Sequence, residues 1–174
     1  MSYDLQEALD EAIKMEIKIR DFYLDAIPKL ESELARDVLK FLAEQEIIHI
    51  ENIQRFQSTA LGQEVGFDLG ERIINTTRKK AKTFFAKRKK QFEQMINGSA
   101  QDADIYKLGL KIEKNGYEYY QQQAQATQDA DAKKLFEFLV LEETTHYDLL
   151  EKLSRYFLEP GFWFLEEEQW LFEG

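Results

Sequence analysis

One pattern of acidic residues and histidine recurs in this chain at a fixed offset of 97 residues, and that recurrence limits what the chain can fold into. Glu16, followed thirty residues later by Glu46-Ile-Ile-His49, matches Glu113, followed at the same distance by Glu143-Thr-Thr-His146. The chain has two histidines, and both fall within the pattern. The register extends past these positions: Tyr23 pairs with Tyr120, Ala35 with Ala132, and Phe41-Leu42 with Phe138-Leu139. Conservative pairs such as Val38 with Leu135 and Ile53 with Leu150 continue it. Two copies of one unit pack naturally about a pseudo-twofold axis. Four carboxylates and two imidazoles so arranged predict a dinuclear metal site.

The pattern lies on helices. Leu5, Leu9, Ala12, Glu16, Ile19, Tyr23 and Ala26 step by alternating fours and threes, the spacing of a helix seam buried in a bundle. Ala35, Leu39, Leu42, Glu46, His49, Ile53 and Phe56 repeat it, as do Ala132, Phe136, Leu139, Glu143, His146, Leu150 and Leu153. The third segment has a rougher line, Tyr106, Gly109, Glu113, Gly116 and Tyr120. With stops at Pro28, Asn97-Gly98 and Pro160-Gly161, these stripes predict helices over about 4–27, 32–57, 99–126 and 129–158. Short connections within each pair make antiparallel hairpins. The long connection between pairs holds a basic helix of its own, about 70–96. The expected fold is all-α: an antiparallel four-helix bundle over 1–158 with one long helical crossover, followed by an aromatic tail, 159–174.

Each member of the repeated pattern interrupts a stripe of core residues. A buried, unpaired carboxylate is costly, and four converging ones also repel. Two divalent cations balance Glu16, Glu46, Glu113 and Glu143, with His49 and His146 neutral. The i, i+3 spacing of each ExxH lets one helix offer a carboxylate and an imidazole on one face. Mixed oxygen and nitrogen ligation without sulfur suits Fe(II) or Mn(II). The chain has no cysteine, which excludes disulfides, thiolate zinc sites and an iron–sulfur or four-thiolate iron centre on it. Glu142 lies four residues before His146 and competes with Glu143 for the ligand role, but its repeat partner is Gln45, so the register favours Glu143. Tyr23 and Tyr120, seven residues after Glu16 and Glu113, read either as core aromatics or as hydrogen-bond donors to ligand glutamates.

The stretches MEIKIRDFY, FLAEQEIIH, IEKNGYEYY and LFEFLVLEETTHYDLLEKL resemble the rubrerythrin-like branch of the ferritin-like superfamily, over about 110 residues of both hairpins. The resemblance implies a ferritin-like bundle with a non-haem di-iron centre on Glu16, Glu46, His49, Glu113, Glu143 and His146. It also implies redox work on peroxide or dioxygen, in dimers or larger homo-oligomers. Two parts of the rubrerythrin pattern are missing. There is no cysteine-ligated rubredoxin-like iron, so turnover needs an external electron donor such as a rubredoxin-like carrier. The further glutamate three residues after the third-helix ligand is Gly116. The haem-ligating methionine of bacterioferritins is Ile47 here, so no haem is expected.

The net charge of −10 is uneven: Arg72 to Gln91 holds nine basic residues and no acidic one, which leaves −19 on the remainder. An acidic body disfavours nucleic acid. The basic segment, with Phe84, Phe85 and Phe92 interleaved, reads as a solvated crossover anchored by its phenylalanines. The tail, with Phe162, Trp163, Phe164, Trp170 and Phe172 among five acids, is expected to dock on the bundle or on a partner. The polar start MSYDLQEALDE is no signal peptide, and no apolar run reaches the roughly 18 residues of a membrane span, so a cytoplasmic protein is expected. The leading functional reading is an oxidoreductase of peroxidase or ferroxidase type. The other is a helical adaptor, with a structural metal, that binds partners through the basic helix and tail.

Overall fold

The computed structural model of the chain describes residues 3–60, 80, 83, 84, 87 and 100–158, the side chains of 100, 101 and 156–158 excepted. Four helices hold most of these residues: α1 (Leu5–Ala26), α2 (Glu33–Ala60), α3 (Ala100–Ala126) and α4 (Ala130–Leu158). They form the all-α four-helix bundle that the seam spacing predicts, ferritin-like as the resemblance implies, with α1 packing on α2 and α3 on α4. Predicted ends hold to within one residue except at α2, which runs three residues past Gln57; the first helix breaker in the sequence there is Gly62.

Local chemistry sets the helix starts. The Asp4 side chain accepts the Glu7 backbone N–H at 3.1 Å and caps α1. Pro28 sits in a 3-10 turn, Ile27–Lys29, that closes α1. Ser32 Oγ accepts the Ala35 N–H at 3.1 Å at the head of α2, and Asp129 Oδ1 accepts those of Asp131 and Ala132 at 2.9 and 2.8 Å at the head of α4. These two caps stand 97 residues apart, so the repeat fixes where both helices begin.

The core is two apolar clusters that the 97-residue register exchanges. One joins Tyr23, Val38, Leu39, Leu42, Tyr106 and Leu150. The other joins their counterparts Tyr120, Leu135, Phe136, Leu139, Leu9 and Ile53. Each fully buried side chain of this size contributes roughly 1.5–3 kcal/mol. Apart from Gly109 and Gly116, the seam residues that belong to neither cluster are Glu16, Glu46, His49, Glu113, Glu143 and His146, all buried. The rough line on α3 also has a reason. A Cβ on Gly109 would stand 3.1 Å from Leu150 Cδ1, so glycine is what lets α3 lie this close to α4.

Phe84 of the predicted basic crossover is half-buried and stacks on Phe41 of α2, ring centroids 5.0 Å apart, while Lys80 and Lys87 are exposed. The rest of that segment and the tail 159–174 lie outside the described residues. No described helix is long and apolar enough to cross a membrane.

Asp102, fully buried near the start of α3, ties the hairpins together. Its carboxylate accepts the backbone N–H groups of Glu31 (3.0 Å) and Ser32 (3.2 Å) in the turn between α1 and α2. Asp102→Ala leaves these donors without that acceptor, and we expect a loss of about 1–2 kcal/mol in urea unfolding, with Asp102→Asn losing less. An unchanged midpoint for the alanine variant would remove this tether from the account.

Candidate metal centre

Glu46 and His49 share one face of α2, and Glu143 and His146 one face of α4, because residues three apart in a helix are neighbours. α1 and α3 bring Glu16 and Glu113 from the other side. All six side chains are at most 1% exposed. One ligand-type atom each from Glu46, His49, Glu143 and His146 lies within 4.8 Å of the others.

The two halves of the cluster match. Glu46 spans them: its Oε2 is 2.9 Å from His49 Nδ1 and its Oε1 is 3.0 Å from His146 Nδ1. Glu16 Oε2 faces His49 Nδ1 at 3.6 Å, and Glu113 Oε2 faces His146 Nδ1 at 3.8 Å. Glu143 Oε1 completes the ring at 3.5 Å from His49 Nδ1. The two imidazoles stack, 5.2 Å between centroids and 15° from parallel. Every histidine nitrogen facing a carboxylate of the cluster is thus an Nδ1.

The tyrosines are crossed. The Tyr23 hydroxyl on α1 donates to Glu113 Oε1 on α3, and the Tyr120 hydroxyl on α3 donates to Glu16 Oε1 on α1. Seven residues is two turns, too far along the helix for either to serve its own glutamate, so each serves the other hairpin's.

The sequence profile of the rubrerythrin family matches residues 7–154. The chain belongs to the rubrerythrin family. Among solved structures, a hypothetical protein from Pyrococcus furiosus is similar, with a TM-score of 0.61 and 22% identity over 90% of this chain and 91% of that one; the likeness concerns the fold. No curated protein matches the chain.

Family membership makes iron the metal to test against these residues, and they fit it. Each of the six has at least one buried oxygen or nitrogen without a hydrogen-bond partner among the described residues: Glu16 Oε2, Glu113 Oε2, both oxygens of Glu46 and Glu143, and both nitrogens of His49 and His146. Unsatisfied buried groups of this kind are costly and rare, and together they form a hard oxygen and nitrogen donor set that a divalent cation satisfies. Where this rubrerythrin-family chain has Gly116, space is short: a Cβ there would stand 3.3 Å from Glu143 Oε2 and 3.4 Å from its carboxyl carbon. Glycine therefore lets the Glu143 carboxylate lie against the α3 backbone.

Two buried residues near the centre fell outside the sequence-based ligand set. Gln45 and Glu142, 2% and 4% exposed, occupy matched positions just before the ExxH glutamates. A buried polar residue at a repeat position where its partner differs in charge was the available signal.

Charge in the cluster is strongly redistributed. Burial, then repulsion from Glu113 and Glu16, pushes Glu143 well above the usual carboxylate range. Burial raises Glu16 from 4.5 to about 7, with His49 opposing and Glu46 adding. Burial would raise Glu46 too, but His146 and His49 outweigh it and hold that carboxyl well below its usual value. Burial would lower His146, yet Glu46 and Glu113 bring it from 6.5 to about 10. Burial and the facing glutamates push the Tyr23 and Tyr120 phenols well above 10.0, so both remain O–H donors.

These directions fix a sign. A raised Glu16 contributes stability that is complete below 4.5 and is lost as pH rises through about 7. A raised His146 contributes stability that is complete below 6.5 and is lost as pH rises through about 10. With protons alone balancing the cluster, the site's contribution to stability falls as pH rises across both windows. Divalent metal replaces those protons, so loading releases protons and flattens the profile. Melting curves of chelator-treated and metal-loaded protein against pH, with proton release followed in weak buffer, check this. A chelated protein that gains stability through these windows would contradict the charge assignment.

Proposed function

We propose that this rubrerythrin-family chain is a non-haem di-iron protein that reacts with peroxide or dioxygen, as a peroxide reductase or an Fe(II) oxidase. The observation that carries the reading is the buried cluster at mid-bundle, most of whose carboxylate and imidazole atoms have no hydrogen-bond partner among the described residues. In this reading Glu16, Glu46, His49, Glu113, Glu143 and His146 hold the metal, with manganese as the alternative to iron. Two ferrous ions, if held there, would supply the two-electron reducing chemistry that peroxide or dioxygen needs.

The chain's own groups do the rest. Glu46 directs one oxygen to each half, so its carboxylate would be available to metal held in either half. Tyr23 and Tyr120 hold one oxygen each of Glu113 and Glu16 by hydrogen bonds, leaving the other oxygen directed to the cluster. Their phenolic protons stay in place through neutral pH and orient both glutamates. The two apolar clusters exclude water above and below. Electrons return from an external donor of rubredoxin-like kind, because no cysteine on the chain can hold an iron–sulfur centre. The protein in this reading is cytoplasmic and acts as a homodimer or larger homo-oligomer.

Anaerobic Fe(II) titration followed by peroxide or air tests the reading. We expect two irons per chain and a ferric absorption band after the oxidant is added. Glu113→Ala should lose one iron and most turnover. Metal that neither oxidant changes would overturn the redox reading and favour a structural metal in an adaptor protein. Full turnover and two bound metals in Glu113→Ala would overturn the ligand set. Tyr23→Phe should retain both irons while weakening uptake about 10–100-fold, as loss of a partner to a ligand generally does; equilibrium competition with a chelator measures it.

A further inference from the structure

His49 presents its two ring nitrogens to different surroundings. Nδ1 faces the cluster, with Glu46, Glu143 and Glu16 oxygens at 2.9, 3.5 and 3.6 Å. Nε2, on the far side of the ring, faces Glu142 Oε2 at 3.6 Å. Glu142 belongs to α4, the opposite hairpin, and its side chain is 95% buried against that imidazole. The 3.6 Å separation is an ion-pair distance, a few tenths of an ångström beyond a hydrogen bond.

The matched half differs. The repeat counterpart of Glu142 is Gln45, which turns its amide to the Phe41 carbonyl of its own helix at 3.4 Å. His146 Nε2 and His49 Nε2 are both buried without a hydrogen bond, but among the described residues only His49 Nε2 faces a carboxylate within 4.0 Å. The cluster is therefore close to twofold in its ligands, but a carboxyl group stands behind His49 where the matched position carries an amide.

We propose that Glu142 is a positioning residue that accepts the Nε2 proton of His49, fixes Nδ1 as the metal-binding nitrogen, and so makes the two metal positions unequal, the one on His49 the tighter. The inference rests on the two-metal reading above. A carboxylate behind a ligating imidazole sets its tautomer, holds the ring plane and makes the opposite nitrogen a stronger donor. His146 lacks that support, so its metal is the later to bind and the first to leave. Glu142 is no ligand itself in this arrangement, because the ring of His49 stands between it and the other carboxylates.

Co(II) titration of the chelator-treated full chain, followed by its visible absorption, tests this with metal binding as the readout. The wild type should take up two ions in separate steps. Glu142→Ala should weaken the tighter step about 10–100-fold and leave the other unchanged. Glu142→Gln, which keeps the shape and a neutral acceptor, should fall between the two and guards against a folding defect. Gln45→Glu should tighten the weaker step. In a His49→Ala background, Glu142→Ala should change nothing further, an outcome that a merely structural role for Glu142 would not give. Two wild-type steps that Glu142→Ala and Glu142→Gln leave unmoved, or that both variants weaken alike, overturn the inference and spare the two-metal reading. A wild type that takes up fewer than two ions overturns both.

Discussion

Six ionisable side chains are buried together at the centre of this bundle. That burial is the constraint on which the rest of the structure depends. Four carboxylates there repel one another and lose hydration, and two imidazoles cannot neutralise them while also serving as neutral ligands. Protons or cations must close the charge. With protons the cluster splits into unlike members, Glu46 held low and Glu143 and Glu16 pushed up. Two divalent ions would close the charge in place of those protons.

The apolar clusters on either side make this burial tolerable. Because the 97-residue register exchanges them, the polar layer lies between two equivalent hydrophobic bodies rather than at one end of a single core. Duplication gives the site its pairs of ligands and the core its two halves by the same operation. The exceptions fall where the halves carry different tasks. Gly109 admits the close approach of α3 to Leu150, Gly116 gives room to Glu143, and Glu142 stands opposite Gln45.

Much of this was legible before any coordinates. The seam spacing carried the helices and bundle, since each seam position on α2, α3 and α4 is buried and only Leu5 on α1 is half-exposed. Ser32 and Asp129 announced two helix starts by residue type alone. The repeated Glu and ExxH brought together all six members of the cluster. What stayed hidden depends on distance between elements. Spacing showed that Tyr23 and Tyr120 share the ligand face, but only packing shows that each reaches across to the other hairpin. Register set Glu142 aside as a ligand and could not reveal that it backs His49 from the far side. The glycines on α3 read as roughness because sequence periodicity has no measure of how near two helices lie.

The crossed tyrosines bear on when the site comes into being. A hairpin of α1 and α2 by itself holds Glu16, Glu46 and His49, but the hydroxyl that steadies Glu16 arrives with α3. The second hairpin lacks the hydroxyl for Glu113 in the same way. Neither half can present a finished set of donors during synthesis, and an ion that meets a half-made chain finds a loose, exchangeable set. Tight capture of metal would thereby wait until both hairpins have docked, and a retained ion would mark those chains whose two halves have found each other.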